Sequence, residues 1–362
     1  MSKTIRIGII GSGGIARAHG SAYKSMPNVE IIAVADSIEG KAQAFIDQEQ
    51  LPLAKAFDDH RRLLELDLDG VSICTPNFAH HETAVNALHA GKHVLVEKPM
   101  SVTLQQSIEM VEAAQASGKM LTVGFQPRYD PNMALIKEIV QSGKLGNVYF
   151  VETGGGRRRG MPTGTFIRKE LAGAGAMADI GCYSLDMALN ALGNPKPLTV
   201  SAYTSNHFGT NPKYHKEAAS FDVEDFGVAM IRLEGDIVLN YKISWAMHMD
   251  TLGATMFLGS EGGLKVTSAG SGPWSGVWDG SVGSMTLYHD VMGQHVQSTI
   301  PIIEHRLDLF AEKVRDFVAA IRDSRPAPIP GEQILYNQAI IDGVLRSAAS
   351  KREVTIELPN WK

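Results

Sequence analysis

Short β-branched apolar runs alternate with stretches of helical spacing through the first third of the chain. Ile5-Arg6-Ile7-Gly8-Ile9-Ile10 is bounded by glycine and predicts a buried parallel strand. Ala16 to Met26 is spaced as a helix, Val29 to Ala35 as a second strand, and Gly70 to Cys74 as a third. Glu82 to Ala90 is helical and stops at Gly91, His93 to Val96 is a strand, Leu104 to Ser117 is helical, and Met120 to Gly124 is a strand again. Such alternation predicts an α/β unit with a parallel sheet covered by helices on both faces. From Gly124 the pattern changes. Glycine and short polar turns become frequent, and runs such as Val148 to Glu152 and Ile237 to Ile243 read as strands of a half-exposed sheet. Gly270 to Gly283, rich in Gly, Ser and Trp, reads as a loop or hairpin tip. Leu307 to Ile321 is an amphipathic helix, Arg325 to Gly331 an extended connection, and Gln333 to Ser350 a last helix. The expected division is 1–124 and 125–362.

Composition narrows the function without naming it. A chain of 362 residues suits two domains. Its 44% hydrophobic and 20% charged residues are an ordinary globular balance. A net charge of −5 with mixed signs gives no general attraction to a polyanion, so nucleic acid is not an expected partner. No run approaches the roughly 18 apolar residues of a membrane span, and MSKTIRIGII lacks the pattern of a secretory signal, so none is expected. Two cysteines, Cys74 and Cys182, make no disulfide framework, and a cytoplasmic setting is expected. His80 with His81, and His89 with His93, have no cysteine or acid cluster to complete a ligand set, so no metal is expected.

The chemistry begins at Gly11-Ser12-Gly13-Gly14-Ile15-Ala16, which fits G-x-G-x-x-[G/A] between a strand and a helix. Gly11 permits the turn, Gly13 lets the backbone approach a pyrophosphate, and the helix start at Gly14 and Ile15 offers unpaired N–H groups. Asp36 ends the second strand where an acid grips the adenosine ribose hydroxyls; this favours NAD over NADP, because a carboxylate repels a 2′-phosphate. Thr75-Pro76-Asn77 and Glu97-Lys98-Pro99 follow two further strands. Ligands of open α/β sheets bind outside the carboxyl ends of strands, so both turns should border the same crevice. Lys98 thus stands at the mouth of a nucleotide cleft, with Pro99 fixing the turn, by a cis bond if need be, and Glu97 available to hold the ammonium. His80, beside the first turn, is either a contact to the cofactor ribose or a helix cap. Further on, Asp179, Tyr183, Asp186 and Asn190 share one face of a predicted helix over 179–192, which is either a site or a solvated face.

Gly11 to Ala16, Glu97-Lys98-Pro99 and Gly173 to Asp186 (GAGAMADIGCYSLD) together resemble the glucose-fructose oxidoreductase/inositol dehydrogenase (Gfo/Idh/MocA) family. The likeness covers essentially the whole chain, through Asp308-Leu309-Phe310-Ala311 to Pro330-Gly331-Glu332. It implies a doubly wound Rossmann domain followed by an α+β domain with a large, mostly antiparallel open sheet. It also implies that Lys98 is catalytic and contacts both cofactor and substrate hydroxyl, and that Asp179 and residue 183 face the substrate. Most of the family has histidine at the latter place. Here it is Tyr183, as it is in glucose-fructose oxidoreductase. A phenol, with a reference pKa of about 10, is a weak base unless a neighbouring ammonium favours its ionised form.

The expected activity is hydride transfer between NAD and a secondary hydroxyl, or ketone, of a sugar, glycoside or cyclic polyol, with Lys98 and Tyr183 handling the proton and Asp179 orienting the ring. A glycosidase that keeps its NAD and oxidises transiently, and a non-catalytic cofactor- or sugar-sensing regulator, are the alternatives. Gln126 and Arg128 resemble a family stretch that lines the cleft, and either touch ligand or tie the domains together. Arg157-Arg158-Arg159 follow three glycines and read as a solvated loop, with Arg158 a candidate substrate contact from a lid. A half-exposed sheet leads us to expect a homo-oligomer, dimer or tetramer, through the C-terminal sheet.

Overall fold

The computed structural model describes residues 4–250, 252–268, 274–276 and 282–360. The chain divides into two compact units, Met1–Gln126 with Leu307–Leu335, and Pro127–Arg306 with Tyr336–Lys362. The first unit contains a six-stranded sheet of β1 (Ile5–Ile10), β2 (Val29–Ala35), β3 (Lys55–Phe57), β4 (Gly70–Ile73), β5 (His93–Val96) and β6 (Leu121–Val123). All pairs are parallel and the order is β3-β2-β1-β4-β5-β6. Helices α1 (Gly14–Lys24), α2 (Lys41–Glu49), α3 (His60–Leu64), α4 (His80–His89) and α5 (Leu104–Ser117) connect these strands. The strand order reverses between β1 and β4, the switch point at which sheets of this kind open a crevice for ligand.

The second unit holds α6 (Pro131–Gln141), α7 (Lys169–Ala172) and α8 (Cys182–Ala191). Its strands are β7 (Val148–Arg157), β8 (Pro197–Ser205), β9 (Phe226–Leu233), β10 (Ile237–Ser244), β11 (Thr255–Gly259), β12 (Gly262–Ser268), β13 (Trp274–Gly276), β14 (Val282–Val291), β15 (Gln294–Ile300) and β16 (Val354–Thr355). Among the described residues they form one sheet in the order β15-β14-β12-β11-β7-β10-β9-β8-β16, with β13 paired to β7. Only β7 and β10 run parallel; the other pairs are antiparallel.

Two local readings need correction. The arginine run does not begin in a loop: Arg157 ends β7, which runs on from Val148 through glycines 154–156. Gly154 has φ +152, and a Cβ there would sit 1.8 Å from the carbonyl oxygen of Lys242, so glycine lets β7 and β10 lie close together. The expected helix over 179–192 begins instead as a π turn, Met177–Gly181, that passes into α8. A Cβ on Gly181 would lie 1.7 Å from the hydroxyl of Tyr241, so this residue must be glycine for the turn to pack on β10. The reading of 270–283 as a loop or hairpin tip falls mostly outside the described residues; 274–276 are β13, and 282 and 283 begin β14.

The last helices are α9 (Leu309–Arg322) and α10 (Gly331–Ser350). Ala311, Val314, Phe317 and Val318 of α9 are buried in one cluster with Ile5, Ile7, Ile9, Ala16 and Tyr23. Thus α9, grouped by the sequence with the second domain, completes the core of the first unit. Cys74 and Cys182 are buried and form no disulfide with each other. No helix of the described residues is long and apolar enough to cross a membrane.

Candidate active site

In the first unit the glycine turn joins β1 to α1. Gly11 has φ +90, and a Cβ there would lie 2.6–2.7 Å from backbone atoms of Cys74 and Thr75. Only glycine lets the turn rest on the end of β4. A Cβ on Gly13 or Gly14 would meet nothing within 4 Å, so the backbone faces open space. Gly13 caps α1 without a side-chain hydrogen bond, which leaves the first N–H groups of the helix to an anion. The side chain of Ile15 packs on the core, so any contact it makes with a ligand is through its backbone. At the end of β2, Asp36 Oδ2 accepts from the N–H (3.0 Å) and hydroxyl (2.6 Å) of Ser12, and Oδ1 from the N–H of Ile38 (3.0 Å). Burial would raise the pKa of this carboxyl, but these bonds hold it below its ordinary value.

Beyond β4, Thr75 Oγ1 is buried without a partner, Pro76 is exposed and Asn77 half-buried. Beyond β5, Lys98 is half-buried and the Lys98–Pro99 peptide bond is cis. His80 takes a different part from the ribose contact expected of it. It is buried, with Nδ1 2.8 Å from the carbonyl oxygen of Pro99 and Nε2 2.9 Å from that of Thr75. Both ring nitrogens face backbone carbonyls, of which a neutral ring can donate to one, so His80 sits between the two turns and hydrogen-bonds one of them. Burial pushes its pKa down, against the pull of the two carbonyls.

Glu97 also departs from expectation. Its carboxylate turns inward, to the ammonium of Lys313 on α9 and to Nε2 of His19 (2.7 Å), rather than to Lys98 or a cofactor. His19 Nδ1 lies 2.9 Å from the hydroxyl of Ser72, which lies 2.6 Å from the hydroxyl of Tyr23. All five side chains are buried. Burial and Lys313 push the pKa of His19 down. A neutral His19 then lets Tyr23 donate to Ser72, Ser72 to Nδ1, and Nε2–H to Glu97. For Glu97 burial alone would raise the pKa, but Lys313 and His19 hold it far below the carboxylate range.

In the second unit Asp179 lies on the π turn, where single π turns often mark function. Its Oδ2 accepts from Trp245 Nε1 (3.0 Å); Trp245, fully buried just past β10, has no counterpart in the sequence reading. The lead-in to the turn is held by Glu224, whose Oε1 accepts from the N–H groups of Gly175 (2.7 Å) and Met177 (3.0 Å). Burial raises the pKa of Glu224, and those two bonds only partly offset it. Tyr183, 8% exposed, lies in the first turn of α8. Asp186 is not solvated: it is 4% exposed and grips the Arg128 guanidinium at 2.7 and 2.9 Å. Asn190 accepts from Lys137 of α6 (3.1 Å). Arg128 therefore ties elements within this unit together. Arg157 donates to the carbonyl of Gly160 (2.8 Å), Arg158 is exposed, and Gln126, the last residue of the first unit's leading segment, is buried.

Residues 5–125 match the family described as an oxidoreductase family with an NAD-binding Rossmann fold (GFO_IDH_MocA), and residues 133–265 match its GFO/IDH/MocA C-terminal domain. The D-glucoside 3-dehydrogenase of Escherichia coli (strain K12) is 35% identical over 275 residues, covering 71% of this chain and 78% of that protein. The chain belongs to the Gfo/Idh/MocA oxidoreductase family. The glucose-6-phosphate 3-dehydrogenase of Bacillus subtilis (strain 168) is 31% identical over 186 residues, which is 50% of this chain and about half (52%) of that protein. The fold is shared with a levoglucosan dehydrogenase solved with NADH and levoglucosan, with a TM-score of 0.81 at 22% identity, covering 98% of this chain and 100% of that one.

The first unit is thus the NAD-binding Rossmann fold of a Gfo/Idh/MocA enzyme, and its residues fit the dinucleotide. The open glycine backbone and uncapped α1 suit a pyrophosphate, Asp36 Oδ1 keeps a lone pair for a ribose hydroxyl, and the orphaned Thr75 hydroxyl awaits a polar partner.

Proposed function

We propose that this enzyme oxidises a secondary hydroxyl of a sugar, glycoside or cyclic polyol with NAD⁺, or reduces the corresponding ketone with NADH. The observation that carries this reading is the place of Lys98: half-buried at the carboxyl end of β5, at the same sheet edge as the glycine cradle, Asp36 and Thr75. The dehydrogenase named for glucosides among the relatives supports the substrate class. Bound NAD⁺ supplies the hydride acceptor. Gly11, Gly13, Gly14 and Ile15 hold its pyrophosphate through backbone, Asp36 its adenosine ribose, and Thr75 and Asn77 its nicotinamide end.

Lys98 hydrogen-bonds the hydroxyl to be oxidised, and Tyr183 or neutral Lys98 removes its proton. Asp179, aimed by Trp245, accepts from a neighbouring hydroxyl and orients the ring; Arg158 and Gln126 are further candidate contacts. We further infer a cytoplasmic homo-oligomer, dimer or tetramer, formed through the second unit's sheet, where Tyr203, Met230, Leu258 and Tyr288 lie exposed. The test is the rate of NADH formation with a sugar panel. Lys98→Met and Tyr183→Phe should each lower kcat/KM by about 10²-fold or more, the scale of general acid–base assistance. If both keep wild-type kcat/KM across pH, the assignment is wrong.

A further inference from the structure

A cavity of about 300 Å³ in the second unit is walled by Phe208, Tyr214, Phe226 and His248, with Asp225 at its border. Its walls come from three stretches of chain that the fold fastens together. The Phe208 and Tyr214 rings lie 5.0 Å apart, and His248 lies 5.3 Å from Phe208. The Arg159 guanidinium stacks over Phe208 at 4.9 Å and Tyr214 at 5.4 Å, and bonds the carbonyl of Met247 (2.7 Å). Arg159, though exposed, also braces this wall. Asp225 is fully buried. Its Oδ2 accepts from the N–H groups of Phe208 and Gly209, both at 2.7 Å, while Oδ1 is buried with no partner. A buried acceptor left unmade costs about 1–3 kcal/mol, so its persistence here points to a ligand that supplies the donor.

Trp245 connects the wall of the cavity to the proposed substrate residue. It donates from Nε1 to Asp179 and from its backbone N–H to the carbonyl of Asp225 (2.7 Å), and the next three residues line the cavity. Resting on the sugar-oxidising reading above, we propose that this cavity is a subsite for a second hydroxylated ring, the far ring of a disaccharide or glycoside whose near ring is held at Asp179. A pyranose presents C–H faces to the Phe208 and Tyr214 rings and O–H groups to Asp225 Oδ1. A wholly apolar group leaves Oδ1 unpaired, and an anionic group meets a buried carboxylate.

The experiment uses the full-length protein with NAD⁺ and matched one-ring and two-ring sugars. For Tyr214→Ala and Phe208→Ala, the two-ring over one-ring ratio of kcat/KM should fall at least ~10-fold, through KM, as expected when a pocket contact is lost. Asp225→Asn, which keeps an acceptor for the two N–H groups, should lower the same ratio. Equal losses on both substrate classes, no loss, or a preference for phosphorylated or purely apolar second groups overturns the subsite. Calorimetric binding of the same sugars separates its failure from that of the oxidation reading. A two-ring ligand that binds wild type and is lost in Tyr214→Ala without turnover upholds the subsite, and absence of two-ring binding overturns it.

Discussion

Glu97 and Glu224 are both buried glutamates just beside residues of the proposed chemistry, and they are stabilised in opposite ways. Glu97 faces a full countercharge, Lys313, and a neutral histidine, so its ionised form is favoured. Glu224 faces only backbone N–H dipoles, so burial prevails and its pKa rises; its neighbour Asp225 is raised for the same reason. The NAD-binding first unit thus holds a buried ionic network of Glu97, Lys313 and His19. The second unit holds carboxyls gripped by backbone, with one Asp225 oxygen left over. Rigidity suits a cofactor that is the same in every turnover, whereas an unspent acceptor suits recognition of one substrate among many.

The largest test of this contrast is Glu97→Gln, which leaves the Lys313 ammonium buried without countercharge. It should cost about 3–5 kcal/mol in urea unfolding, and adding Lys313→Met should recover much of that loss. Smaller is Glu224→Ala, which strands two buried N–H groups and should cost about 1–3 kcal/mol, with Glu224→Gln cheaper because an acceptor remains. Trp245→Phe removes a donor to Asp179 and should lower kcat/KM about tenfold, in line with a hydrogen bond to a charged group. The subtlest readout is stability against pH. The depressed Glu97 contributes stability above its unfolded pKa, near ~4.3, that is lost as pH falls through the folded value. The raised Glu224 and Asp225 do the reverse: their contribution is complete below the unfolded values and is lost as pH rises through the folded ones. Between pH 6 and 3, Glu97→Gln should therefore lose less stability than wild type, and Glu224→Gln more. Parallel curves for the two variants would erase the contrast.

The first unit was legible because its signals are local. A strand, a glycine turn and a helix follow one another at Ile5 to Lys24, and α5 ends where its spacing ends. The membership of α9 was not legible, since an amphipathic helix shows that it has a buried face but not what covers it. Lys313 reads as surface because lysine usually is; only its long-range partner explains its burial. Glu97 beside Lys98 looks like an ion pair in sequence, yet neighbouring side chains in extended backbone point apart. Of the four polar residues read as one face, Asp179 lies on the π turn and the other three on α8, where Asp186 holds Arg128 and Asn190 accepts from Lys137 of α6, which spacing alone could not separate from substrate duty. Trp245 and Asp225 carried no signal of their own.

The Glu97–Lys313 pair spans 216 positions. On a ribosome adding about 5–20 residues per second, the carboxylate is made roughly ten to forty seconds before its counterion. Through that interval the nascent nucleotide-binding segment lacks both its central cation and the helix that seals its hydrophobic cluster. Native assembly of the first third of the gene product must therefore wait for the last sixth of the message, and a fragment released before codon 307 should be a substrate for chaperones rather than for NAD.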